Sequence, residues 1–110
     1  MTRRAADCLV DILEAIARVR RHRSHAGLVP EDLLRDAVIY QLVVVGEAVK
    51  GVDMATRAQR TDVDWKKIAG LRDLLTHEYF RIDHGRIDDI TDQELGDLES
   101  AARALLGTNS

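Results

Sequence analysis

The sequence predicts an all-α fold, an up-down bundle of four to five helices in a single dimerising domain over residues 1–110. Three observations lead there. Apolar residues recur at helical spacing through most of the chain. Hydrophobic residues make up 45% of the sequence but only 4% are aromatic, so the core is built from Leu, Ile, Val and Ala, a usage that favours helices packed on helices. A single proline and no long Gly/Ser tract argue against internal linkers.

Size and charge narrow the function classes. One hundred and ten residues suit one domain with a modest core. The lone Cys8 excludes an intrachain disulfide and suits a reducing compartment, so a cytoplasmic location is expected. No apolar run is long enough to cross a bilayer, so no membrane partner is expected. Asp7, Asp11 and Glu14 give the N-terminal stretch an amphipathic character unlike a signal peptide. The net charge of −3 speaks against a large nonspecific nucleic-acid binder. Its distribution is uneven, however. Arg18, Arg20, Arg21, His22, Arg23 and His25 form a basic knot, whereas residues 83–99 are acidic. A local basic patch steers RNA even on an acidic protein.

Taken in order, Leu9, Ile12, Leu13, Ile16 and Val19 give a first helix from about Arg4 to His22. Arginines crowd its last turn. They read either as a solvated turn that suits the negative end of the helix dipole or as a phosphate-guiding surface. His22 and His25 are three apart, but no further Cys or His completes a metal site, and none is expected. Ser24–Val29 is a loop with Gly27 as its natural break. Pro30, Glu31 and Asp32 start a second helix that runs to about Lys50, with Gly51 closing it. Its centre, Val38 to Gly46, is apolar almost all round, so this helix is expected to pack on two surfaces, with a second copy a candidate for one of them. Gly46 in its interior marks a close helix approach. Asp53 caps a short helix and Asp64 caps the next.

The third main helix opens at Trp65, a core anchor, and carries Ile68, Leu71, Leu74 and Leu75 inward. Arg72, Asp73, Thr76, His77 and Tyr79 follow at its end. An arginine is a permanent cation whose planar fork matches phosphate geometry. Histidine exchanges protons near neutral pH. Together they suggest chemistry on a phosphodiester. At 3.6 residues per turn, Arg72, Thr76 and Tyr79 share one face and Asp73 and His77 another; Arg72 and His77 lie about 140° apart. Either the helix distorts or ends near His77, or the site is completed across a two-fold dimer. Asp73 is placed to orient the imidazole or the arginine. Read as a packing residue, Tyr79 would turn its hydroxyl to a backbone carbonyl. Beyond Asp83 and Gly85, helical structure is expected from about His84 to Leu106, interrupted between Thr91 and Gly96, with 107–110 a frayed tail.

The spacing Arg72-x4-His77-x-Tyr79, with Trp65 opening the helix and Phe80-Arg81-Ile82-Asp83 after it, resembles the HEPN domains, in particular the HepT-like toxins that pair with a minimal nucleotidyltransferase. Asp73 stands where that family usually carries a polar residue, often Asn. The resemblance implies a metal-independent endoribonuclease toxin with no cofactor, acting on RNA as a homodimer with Arg72 and His77 catalytic at the interface. It further implies 2′,3′-cyclic phosphate and 5′-hydroxyl products, and a cognate nucleotidyltransferase antitoxin that transfers AMP to Tyr79. Asp73 and Thr76 are supporting residues. A rival reading is a non-catalytic dimeric module that binds a nucleotide or scaffolds the nucleotidyltransferase.

Overall fold

A computed structural model describes residues 1–77 and 84–107 of the chain. Two long helices set the frame: α1, Arg3–Arg23, and α2, Glu31–Lys50. A short α3, Met54–Arg57, leads to α4, Trp65–Ala69, and α5, Leu71–His77. The chain then forms α6, His84–Asp89, a π-helical turn, Ile90–Glu94, and α7, Leu95–Leu106. Counting α4–α5 as one bent helix and α6–π–α7 as one interrupted helix gives five among the described residues, within the four to five expected from the sequence. No strand occurs among the described residues.

Side-chain chemistry starts and stops these helices where the sequence places the signals. The Thr2 hydroxyl accepts the Ala5 amide at 3.0 Å and opens α1. The Asp53 carboxylate accepts the Thr56 amide at 3.2 Å and its hydroxyl at 2.6 Å, and Asp64 accepts the Lys67 amide at 3.1 Å. Each satisfies a helix N–H that has no partner within its own helix. At the far end of α2, the Arg57 guanidinium donates to the Val52 and Val49 carbonyls at 2.8 and 2.9 Å. A cation there also opposes the negative end of the α2 dipole. Gly27 adopts φ +83° in the loop after α1, and Gly107 adopts φ +73° as the C-cap of α7.

The core is one contiguous cluster. Leu9, Ile12, Ile16 and Val19 of α1 meet Val38, Leu42, Val45 and Val49 of α2, and Leu95, Leu98, Ala101 and Ala102 of α7 close over them. Trp65 is buried with its Nε1 donating to the Arg60 carbonyl at 2.9 Å, which makes it the expected anchor. A Cβ built on Gly51 would stand only 2.3 Å from the Cys8 sulfur. The end of α2 therefore rests against the beginning of α1, and the two run antiparallel.

Two of these helices are interrupted. The helix opening at Trp65 is not continuous: it breaks at Gly70, whose N–H reaches the carbonyls of both Lys66 and Ile68. Gly70 caps α4 at φ −77° and ψ −8°, and α5 begins at the next residue. The expected interruption between Thr91 and Gly96 takes the form of the π turn Ile90–Glu94. The Thr91 hydroxyl donates back to the Ile87 carbonyl at 2.8 Å, and the Leu95 amide donates to the Ile90 carbonyl. Ile90 and Leu95 are both buried although they are five apart. On a regular helix they would diverge by about 140°, and the wider turn reduces that divergence.

Ion pairs fasten this turn and α7 to the rest. Asp92 pairs with Arg23 at 2.5 Å, Glu94 with Lys67 at 2.5 Å, and Glu99 with Arg20. Two members of the basic knot are thus taken up by the acidic C-terminal stretch. Arg18 and Arg21 have no acidic partner among the described residues.

Candidate functional site

Arg72 lies in the first turn of α5, where that helix crosses the end of α2. The crossing is close because of Gly46. A Cβ built on it would lie 3.0 Å from the Arg72 backbone nitrogen, 3.1 Å from the Ile68 carbonyl oxygen and 3.3 Å from the Leu71 Cβ. The approach expected of Gly46 is therefore real, and its neighbour is the arginine. Leu71 and Leu75 are buried beside it on α5, while Arg72 itself is exposed.

The guanidinium of Arg72 sits in a line of alternating charges. Its Nε is 3.2 Å from Glu47 Oε2, and its Nη1 donates to Asp73 Oδ1 at 3.4 Å. Asp73 Oδ1 is in turn 3.9 Å from Lys50 Nζ. All four side chains are open to solvent, so this network adds little to stability. It does shape how the arginine is presented. Of the five N–H donors of a guanidinium, those on Nη2 face no carboxylate in this set.

The other expected residues divide. Asp73 engages Arg72 at 3.4 Å and Lys50 at 3.9 Å. Thr76 spends its hydroxyl on the Arg72 carbonyl at 2.7 Å and supports the helix under the arginine. His77 is exposed, and its side chain makes no hydrogen bond or ion pair among the described residues. Residues Leu71–His77 form one helix, so the 140° divergence of Arg72 and His77 stands within a single copy. Tyr79, together with the Phe80–Asp83 stretch and the tail beyond Gly107, lies outside the described residues. Glu47 and Lys50 were not foreseen. Their only signal is position: a carboxylate beside the close-approach glycine, and a lysine three residues further on.

Depressions on the surface stand in different relations to this network. A cleft of about 130 Å³ between α1, α2 and α6 is lined by Arg23, Glu31, Arg35 and Asp88 and contains none of these residues. A groove of about 460 Å³ between α1 and α2 runs from Arg18 past Val44 to Glu47 and Lys50, so it ends at the arginine's partners.

The family model for HepT-like ribonucleases matches residues 11–105. The chain belongs to the HepT-like ribonuclease family. It is by that membership an RNA endonuclease. A relative from Caldanaerobacter subterraneus subsp. tengcongensis, provisionally named an RNase, is 35% identical over 83 residues, 76% of this chain and 74% of its own length. The protein named probable ribonuclease HepT from Thermococcus cleftensis is 34% identical over 88 residues, 76% of this chain and 78% of its own. A provisionally named RNase from Methanocaldococcus jannaschii is 33% identical over 79 residues, 69% and 72% of the two chains. No solved structure matches the HepT-like chain. Among its described residues, no helix is long and apolar enough to cross a membrane.

Proposed function

We propose that the chain is the toxin half of a bacterial toxin–antitoxin pair, a metal-independent endoribonuclease that uses the RNA 2′-hydroxyl as internal nucleophile. The reaction leaves a 2′,3′-cyclic phosphate and a 5′-hydroxyl. Arg72 binds the scissile phosphate and stabilises the charge that grows on it in the transition state. His77 moves the protons as general base or acid. The observation that carries this reading is the presentation of Arg72 within a HepT-like chain: an exposed guanidinium, backed by a tight helix crossing and with donors turned to solvent.

Because Arg72 and His77 diverge on one helix, the site is completed by two copies, with Arg72 of one and His77 of the other over a shared groove. The outer side of α2 supports such pairing. Leu33 and Tyr40 are 58% and 65% exposed, and half-buried Ala37 and Val44 lie on the same side at helical spacing. This stripe leads toward Glu47 and hence toward Arg72. A cognate nucleotidyltransferase switches the enzyme off by transferring AMP to Tyr79, two residues beyond His77, where the added charge and bulk exclude substrate phosphate.

RNA cleavage in EDTA tests the proposal. The wild-type chain is expected to cut RNA, whereas His77→Ala is expected to lose about 10²–10⁴-fold in rate and Arg72→Ala a comparable factor. Loss of wild-type cleavage in EDTA sinks the metal-independent route. The net charge of −3 and the two carboxylates beside Arg72 favour a second reading, a non-catalytic dimer that scaffolds the nucleotidyltransferase. That reading requires tight partner binding with no cleavage by the unmodified protein.

A further inference from the structure

We infer that Glu47 is a positioning residue for Arg72, aiming its guanidinium at the scissile phosphate; the inference rests on the ribonuclease reading above. Three observations carry it. Gly46 brings α2 against the backbone of Arg72 with no side chain between them. The origins of the Glu47 and Arg72 side chains are thus held at a fixed separation by main-chain contact. The Glu47 carboxylate then meets Nε, the guanidinium nitrogen nearest the backbone, at 3.2 Å. Held there, an arginine stem loses much of its rotational freedom while its outer nitrogens stay available. Asp73 touches Nη1 at the longer distance of 3.4 Å and is itself drawn toward Lys50. Among the described residues that leaves Nη2 as the donor for an incoming phosphate oxygen.

A carboxylate beside a phosphate-binding arginine has two opposing effects. It competes with the phosphate for the cation, and it fixes where the cation points. The geometry decides for the second. Glu47 occupies the inner end of the guanidinium, so the substrate does not have to displace it. The two side chains are 47% and 60% exposed, which weakens their mutual Coulomb attraction but leaves the carboxylate 3.2 Å from Nε. Misplacing a catalytic group by about 1 Å costs on the order of 10²-fold in rate.

The test uses the full chain with Glu47→Ala and Glu47→Gln, alone and combined with Arg72→Ala. Cleavage of an RNA oligonucleotide gives kcat and KM, and arginine Nε–H NMR reports on the Arg72 side chain directly. Glu47→Ala is expected to lower kcat about ten- to a hundred-fold with little change in KM and in Tm. Glu47→Gln, which keeps a polar side chain of the same length beside Nε, recovers part of that loss. In the Arg72→Ala background, removing Glu47 is expected to cost nothing more, the signature of two residues acting as one. The Arg72 Nε–H resonance, set apart from the other exposed arginines in the wild type, joins them in Glu47→Ala.

Wild-type or faster cleavage by Glu47→Ala overturns the inference, as does an equal loss in both backgrounds or an unmoved Arg72 resonance. A wild-type chain that cuts no RNA yet shows the expected resonance change refutes the ribonuclease reading and leaves the positioning of Arg72 standing.

Discussion

Asp53 shows how much one side chain settles locally. Its carboxylate accepts from the Thr56 hydroxyl and then from the Thr56 amide, and these bonds hold its pKa below the ordinary value. A carboxyl whose folded pKa is depressed stabilises the fold above its unfolded pKa, about 3.9. The contribution is lost as pH falls through the lower, folded value. Asp53→Asn preserves a good cap but removes the titration, so urea melts at pH 7 and pH 3 are expected to differ less for the variant than for the wild type. A variant with the full wild-type pH dependence would show that other carboxylates carry it. The cap itself was legible from the sequence, because Asp53 and Asp64 each directly precede a helix. Glu47 was not legible. An acid on the outer side of a helix has no periodicity to betray it, and its partner lies in a different helix.

At the level of elements, spacing revealed α1 and α2 to within a residue or so at each end, because both bury an unbroken apolar face. It did not reveal the break at Gly70. Ile68, Leu71 and Leu75 are all buried, so the inward pattern continues through the glycine. The π turn was foreseen only as an interruption, since its register depends on what Ile90 and Leu95 meet across the bundle. The α1–α2 pair offers a direct check on packing. Gly51→Ala places a methyl where the Cys8 sulfur now sits and is expected to destabilise by about 1–3 kcal/mol, the usual cost of overpacking. Adding Cys8→Ala should recover much of that loss, measured as a coupling energy from denaturant melts of the single and double variants. Additive effects would show that the two helices part instead of competing for the same space.

For the molecule as a whole, the question is what covers the outer side of α2. An all-α bundle was legible from composition and periodicity. The ties between the basic knot and the acidic C-terminal stretch became visible only once Arg20 and Arg23 were seen to meet Glu99 and Asp92. If the stripe of Leu33, Tyr40 and Val44 seats a second copy, Tyr40→Glu is expected to turn a dimer into a monomer in micromolar sedimentation runs and to abolish cleavage with it. A dimer that tolerates the charge would move the interface elsewhere. Stable specific interfaces bury about 1,200 Å² or more, so other surfaces must join the stripe. The seat of Arg72, by contrast, is main chain on main chain at Gly46. Natural drift along the rest of α2 is therefore free to retune affinity for a mate while the cutting tool keeps its aim.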